Sequence, residues 1–317
     1  MLENNGRFLS GCIIYSSGKD YNIVLRFWKF NSNYCEMKKV VFFNTKGGTG
    51  KTTICYNYGW YLAEKKDKKV LFLDFDPQIN LVQAFNKGTS NDKGNNLDTL
   101  IINYIKGNNI NFNDYIIKIS NNIDLLPSSN NVSLIEEYLT DYLLGKTFKE
   151  QKIYKATHRN AIINELLEEN INEDDYDYIV IDSQPNFSLL STTSIIYAKN
   201  IIVVVKPELF SFLDIEYLNK IIENLEKRFY IKINIAGVIV NAFEKRKKMS
   251  EFIVKNLEAR YKDKLPILKQ KIRYLVHYQK SILLKREPVF LSYPNGEATS
   301  DIIKLFSNVD EYLNNLY

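Results

Sequence analysis

The residues with the clearest chemical purpose lie in one ten-residue run, Asn44-Thr45-Lys46-Gly47-Gly48-Thr49-Gly50-Lys51-Thr52-Thr53. It joins an apolar run, Val40-Val41-Phe42-Phe43, to a stretch of helical periodicity. A phosphate needs backbone N–H groups turned towards it, and glycines permit this because they tolerate φ > 0. A helix N-terminus adds free amides and the positive end of a dipole. A lysine that reaches the β- and γ-phosphates and a hydroxyl on Mg²⁺ complete such a site. Gly50, Lys51 and Thr52 supply those parts, with Gly47, Gly48, Thr49 and Thr53 around them. The run departs from the ordinary G-x-x-x-x-G-K-[ST] loop. Thr45 stands where its first glycine would fall, and a second lysine, Lys46, heads the loop.

Two acidic sites accompany it. Val70-Leu71-Phe72-Leu73-Asp74-Phe75-Asp76-Pro77 puts two carboxylates, one residue apart, at the end of an apolar strand that Pro77 stops. A carboxylate at the C-terminal edge of a parallel sheet can orient an attacking water or hold a metal-bound one. Tyr178-Ile179-Val180-Ile181-Asp182 ends another such strand, which makes Asp182 a candidate to act on Mg²⁺.

The elements that must position these groups follow from periodicity. Strand-length apolar runs at 39–44, 70–74, 123–126, 177–182, 201–205 and 234–240 alternate with helical stretches at 52–65, 131–144, 157–170, 214–228 and 249–261. Near-continuous Val/Ile/Leu/Phe strands belong in a parallel sheet covered on both faces. The expected fold is therefore α/β: a mostly parallel sheet with helices on both faces, three layers in all. A polar loop is expected around 87–96. Residues 1–36 show no sustained period and read as an N-terminal extension, either a β-rich appendage or upstream sequence with Met37 as the natural start. Residues 37–317 form the expected ATPase domain.

The loop K-G-G-T-G-K-T-T with its extra lysine resembles the deviant Walker A loop of the ParA/MinD/nitrogenase-iron-protein superfamily of dimerising ATPases. The resemblance spans about 39–315. It implies a P-loop NTPase fold, ATP and Mg²⁺ as ligands, and a homodimer in which Lys46 reaches the partner's nucleotide, acting with Lys51 on phosphate. The stretch Asp74–Leu81 is similar to the family's D-x-D-P-Q-x-N segment, which implies that Asp76 orients water and Asp74 supports the Mg²⁺ shell. Thr52 and Asp182 would complete the metal site. After Asp182 the family has D-x-P-P, whereas Gln184 stands here at the first proline.

Further segments resemble ParA-type partition ATPases: Ile123–Ser128, Lys206–Ser211, and Gly237-Val238-Ile239-Val240-Asn241, whose terminal Asn241 is implied to contact adenine. Leu268–Arg273, Pro288-Val289-Phe290 and Asn295-Gly296 follow the C-terminal pattern. The iron-protein branch would need cluster cysteines, and Cys12, Cys35 and Cys55 form no C-x-x-C pair. A lipid-binding tail would be basic and amphipathic. The terminal segment 300–317 does carry an apolar stripe, Ile302, Phe306, Val309, Leu313 and Leu316, but its charges, Asp301, Lys304, Asp310 and Glu311, are net negative, and it reads as a helix closing the sheet.

The chain has 317 residues, with 45% hydrophobic and 25% charged, ample for a core. No apolar run of about 18 residues is present, so no membrane span is expected. The three cysteines suit a reducing, cytoplasmic setting. Net charge is +5 overall, yet residues 241–290 hold 14 basic and 5 acidic residues. Such polarity suits sequence-independent DNA binding, hence a nucleoid-associated protein. By match to the family, Arg273 is the first DNA-binding candidate, followed by Lys271 and Lys280. The resemblance implies a ParB-like, centromere-bound partner that stimulates hydrolysis. The alternative is a MinD-like positioning ATPase acting on a membrane or protein scaffold.

Overall fold

The computed structural model describes residues 37–85, 94–150, 157–209, 211–262 and 264–316. The expected extension 1–36 lies outside them. Seven strands form one sheet: β1 Lys38–Phe43, β2 Val70–Phe75, β3 Ile117–Lys118, β4 Ile123–Leu126, β5 Tyr178–Ser183, β6 Asn200–Val205 and β7 Asn234–Val240. Their spatial order is β3-β4-β2-β5-β1-β6-β7. Every pairing is parallel except the short edge strand β3, which runs antiparallel to β4.

Alternate residues of each strand enter two different cores, as the two-residue pleat requires. Val41, Phe43, Leu71 and Leu73 face one core, packed by α3 Leu97–Ile105, α4 Ile135–Glu150, α5 Thr157–Asn170, α6 Leu189–Ala198, α7 Ser211–Phe229 and α8 Lys248–Tyr261. Val40, Phe42, Val70 and Phe72 face the other, with α1 Lys51–Lys66, α2 Asn80–Phe85, α9 Val276–Lys280, α10 Val289–Ser292 and α11 Glu297–Asn314. Both sheet faces are covered, which is why the strands read as continuous apolar runs rather than alternating ones. The three-layer α/β/α arrangement expected from the sequence is the one observed.

Helix α1 lies unusually close to the sheet. A Cβ added at Gly59 would stand 2.0 Å from the Phe72 ring, so only glycine lets the helix pass. Cys55, one turn along from Lys51, is fully buried in this contact. Helix α11 buries Ile302, Phe306, Val309 and Leu313 against the sheet, whereas Leu316, the last residue of the expected stripe, lies beyond the helix and is exposed. No helix among the described residues is long and apolar enough to cross a membrane.

Candidate functional site

The sheet order explains how the motifs meet. Strand β5 lies between β1 and β2, and Asp182 is paired in register with Asp74. The phosphate loop leaves β1 at the same edge. Three chain segments distant in sequence thus end side by side at the C-terminal edge of the central strands, where open α/β sheets bind ligands.

The loop has the geometry that its glycines predict. Gly48 and Gly50 adopt φ of 70° and 91°. Gly50 caps α1 without any side-chain hydrogen bond, which leaves the first-turn amides available to an anion. Asn44 braces the base of the loop. Its Nδ2 donates to the Val204 carbonyl at 2.6 Å, and its Oδ1 accepts from the Lys46 amide at 3.0 Å. Lys51 is buried, and its Nζ donates to the Lys46 carbonyl at 3.1 Å. Burial lowers the Lys51 pKa, against the opposing pull of Asp182 and Asp76.

Asp182 is fully buried, and neither carboxylate oxygen has a partner at normal hydrogen-bond geometry. Burial raises its pKa to about 7, although the nearby Thr52 hydroxyl, Lys51 and the Ser183 amide pull it down. The Thr49 hydroxyl, on the loop itself, is likewise buried without a partner. An unpaired buried carboxylate is costly, and a cation would relieve that cost. These residues fit Mg²⁺ and a nucleotide: Thr52 and Asp182 would hold the metal, and Lys51 with the loop amides would hold phosphate. Among the described residues no three His, Cys, Asp or Glu side chains cluster as a metal cage.

The D-x-D pair divides its work. Asp74 is fully buried; its Oδ1 accepts from the Asp76 amide at 2.9 Å and its Oδ2 from the Val82 amide at 3.4 Å. Burial, then the neighbouring Asp182, holds its pKa well above the usual carboxylate range. Both oxygens therefore brace their own loop, a positioning role beside the metal-shell role expected from sequence. Asp76 accepts from the Gln78 amide at 3.0 Å, and the Ser128 hydroxyl donates to its carbonyl at 3.0 Å. Ile79 then takes φ of 50°, an uncommon state for a β-branched residue and one that marks local strain.

Sequence reasoning missed three supports. Lys46 forms an ion pair with Asp214 of α7 at 2.9 Å. Asn241 donates its Nδ2 to the Thr49 carbonyl at 2.7 Å, and a Cβ on Gly50 would meet that same nitrogen at 2.2 Å. The residue expected at adenine is thus also a strut under the phosphate loop. In the segment after Asp182, the Gln184 amide hydrogen-bonds the Ser188 hydroxyl, which caps α6. The Asn186 amide donates to the Thr45 carbonyl at 3.2 Å, and the Phe187 ring lies between Phe43 and Tyr217. A side-chain contact stands where the family pattern has a proline. The cleft between the loop and the Lys206–Asp214 segment measures only 40 Å³. A larger cavity of 370 Å³ lies beside Tyr61 and Lys65 in the last turns of α1, away from the phosphate loop.

The DNA candidates are placed differently from one another. Arg273 makes a two-pronged ion pair with Asp301, Nε to Oδ2 at 2.7 Å and Nη2 to Oδ1 at 2.9 Å, and a further one with Glu297 at 2.8 Å. Lys271 pairs with Glu258 at 2.8 Å. Lys280 is exposed on α9 and makes no ion pair among the described residues.

Comparison with known proteins adds the family. A family model described as an AAA domain (AAA_31) matches residues 37–235. The virulence plasmid ParA family protein pGP5-D of Chlamydia psittaci is 28% identical over 277 residues, spanning 87% of this chain and 96% of that protein. The ATP complex of a single-residue variant of Cyanothece McdA superposes with a TM-score of 0.71 at 23% identity, over 89% of this chain and 98% of the other. A plasmid partition protein of Borrelia burgdorferi bound to AMPPNP gives 0.66 at 20% identity, over 89% and 100%. With its deviant phosphate loop, its sheet order and these relatives, the chain belongs to the AAA_31 family, in the ParA-type branch of partition ATPases.

Proposed function

We propose that this chain is a Mg-ATP-dependent dimerising ATPase that binds DNA without sequence preference and drives its partition with a ParB-like, centromere-bound partner. The observation behind this reading is the buried, unpartnered Asp182 at the head of α1, with Lys51 beside it and a second loop lysine, Lys46, at the rim. When bound, ATP supplies the phosphoanhydride and Mg²⁺ the charge that draws electrons from it. The chain's own residues do the rest. Lys51 and the amides of Gly47–Thr53 neutralise and orient phosphate. Asp182 and Thr52 fix the metal side. Asp76, held by Gln78 and Ser128, orients the attacking water.

Lys46 is the dimerising residue in this reading. It exchanges its pair with Asp214 for phosphate across a sandwich interface, where two added cations offset triphosphate repulsion. The nucleotide-bound dimer holds DNA and hydrolysis releases it. The test measures DNA retention, sedimentation mass and phosphate release with ATP, ADP or no nucleotide across a salt series. Dimers and salt-sensitive retention with ATP alone support the reading. No DNA retention in any nucleotide state at low salt defeats it.

A further inference from the structure

After Asp182 this chain departs from the D-x-P-P pattern, with Gln184 at the first proline. The segment is nonetheless tightly held. The Ser183 hydroxyl donates to the Phe42 carbonyl at 2.7 Å. Gln184 is half-buried, and its Nε2 donates to the Ser188 hydroxyl. That hydroxyl also accepts from the Ser191 amide at 3.2 Å, as the N-cap of α6. The bond from Gln184 to Ser188 closes a ring around Pro185, Asn186 and Phe187. Phe187 anchors the ring between Phe43 and Tyr217. Asn186 takes φ of 80°, and the Ser191 hydroxyl donates to its carbonyl at 2.8 Å. Asn enters the left-handed region more readily than most residues, but it stays there only when its neighbours fix it.

The Asn186 amide points out of the ring and donates to the Thr45 carbonyl at 3.2 Å. The Thr45 carbonyl and the Lys46 N–H belong to one planar peptide unit and point in opposite directions. Asn44 holds the N–H side, its Oδ1 accepting from the Lys46 amide at 3.0 Å while its Nδ2 donates to the Val204 carbonyl of β6. Asn186 holds the carbonyl side. The peptide that leads into Lys46 is thus gripped twice, once from β6 through Asn44 and once from the ring that Gln184 closes.

We propose that Gln184 is a positioning residue for Lys46: its bond to Ser188 fixes Asn186, the Asn186 amide fixes the Thr45–Lys46 peptide, and that peptide aims the Lys46 side chain. The proposal rests on the dimerising reading above, in which Lys46 engages nucleotide across the interface. A proline at 184 restrains the same stretch of backbone covalently, through its ring. Gln184 restrains it through one hydrogen bond, worth about three- to tenfold in an equilibrium.

The experiment compares wild type with Gln184→Met, which keeps the side-chain length and loses the donor, and with Gln184→Pro. In nucleotide-free protein, exchange of the Asn186 amide, read by NMR, is expected to quicken about three- to tenfold in Gln184→Met and to match wild type in Gln184→Pro. ADP affinity by calorimetry is expected to be unchanged in both, which also shows that both are folded. The ATP concentration that half-saturates dimer formation is expected to rise about three- to tenfold in Gln184→Met and to return to the wild-type value in Gln184→Pro. Unchanged exchange at Asn186 in Gln184→Met overturns the ring. Quickened exchange with unchanged dimer formation, or equal losses of ADP and ATP affinity, overturns the link to Lys46. A Gln184→Pro variant that behaves as Gln184→Met does overturns backbone restraint as the cause. Wild type that stays monomeric with ATP defeats the dimerising reading instead, and the exchange result still decides the ring.

Discussion

Two regions of this molecule are rich in charge and treat it in opposite ways. At the C-terminal edge of β1, β2 and β5, a few ionisable groups are buried, and Asp182 has no partner at hydrogen-bond geometry. In the segment carrying Lys271 and Arg273, those two cations lie at the surface and acids of the same chain neutralise them. A structure tolerates an unsatisfied buried charge only where something outside the chain satisfies it. A surface cation with a well-formed partner is already committed. The number of charges therefore says little about function, whereas the lack of a partner says much.

The largest expected effects break the first half of that contrast. Lys51→Ala removes the cation facing Asp182 and Asp76. It should abolish measurable nucleotide binding by titration calorimetry, with loss of hydrolysis on the order of 10²-fold or more. Asp76→Asn should retain nucleotide binding and lower hydrolysis by about 10²–10⁴-fold in a phosphate-release assay. Equal loss of binding in Asp76→Asn would make this carboxylate structural instead.

Asp182 gives a pH test of the same contrast. Its folded pKa, about 7, lies above the ordinary value of 3.8. The folded state then holds a proton that the unfolded state has already lost, so stability falls as pH rises between those values. In chelator without nucleotide, Asp182→Asn should match wild type near pH 4 and melt at a higher temperature than wild type by pH 7. Excess Mg-ATP should close or reverse that gap. A gap independent of pH would show that burial of the charge is not its cause.

Arg273→Gln sharpens the second half. It strips the partner from the nearly buried Asp301 and should cost about 1–2 kcal/mol in denaturant unfolding, a range already reduced because the guanidinium is one-third exposed. The smallest effect is expected from Asp214→Asn, which releases Lys46 from its 2.9 Å pair. The ATP concentration that half-saturates dimer formation should fall by about threefold, since a partly exposed pair of this kind is worth on the order of 1 kcal/mol or less. A higher half-saturating concentration would mean that Asp214 orients Lys46 for its task rather than restraining it.

What the sequence made legible was local. The phosphate loop, the strand ends at Asp74 and Asp182, and α1 each follow from neighbouring residues, and the parallel sheet follows from continuous apolar runs. Helix α6 did not show because nine of its ten residues are buried, so no polar face interrupts the stripe. Strand β3 has only two residues, too few for a period. The pairings of Lys46 with Asp214 and of Arg273 with Asp301 have no spacing rule, since they depend on which helix packs beside which loop. Gln184 read as a missing proline because a backbone restraint is visible in the residue type. Its side-chain substitute, a bond to Ser188, is visible only in space.

The burial of Cys55 gives the phosphate helix a chemical clock. Its thiol is fully buried, and burial together with the nearby Asp182 and Asp74 pushes its pKa well above the ordinary thiol value. Alkylating reagents attack the thiolate, so this sulfur stays inert until α1 lifts from the sheet. The modification rate at Cys55, mapped by peptide mass, then reports the opening frequency of the helix that cradles phosphate. Any ligand that seats on that helix should be readable, without a label, as the factor by which it slows the reaction.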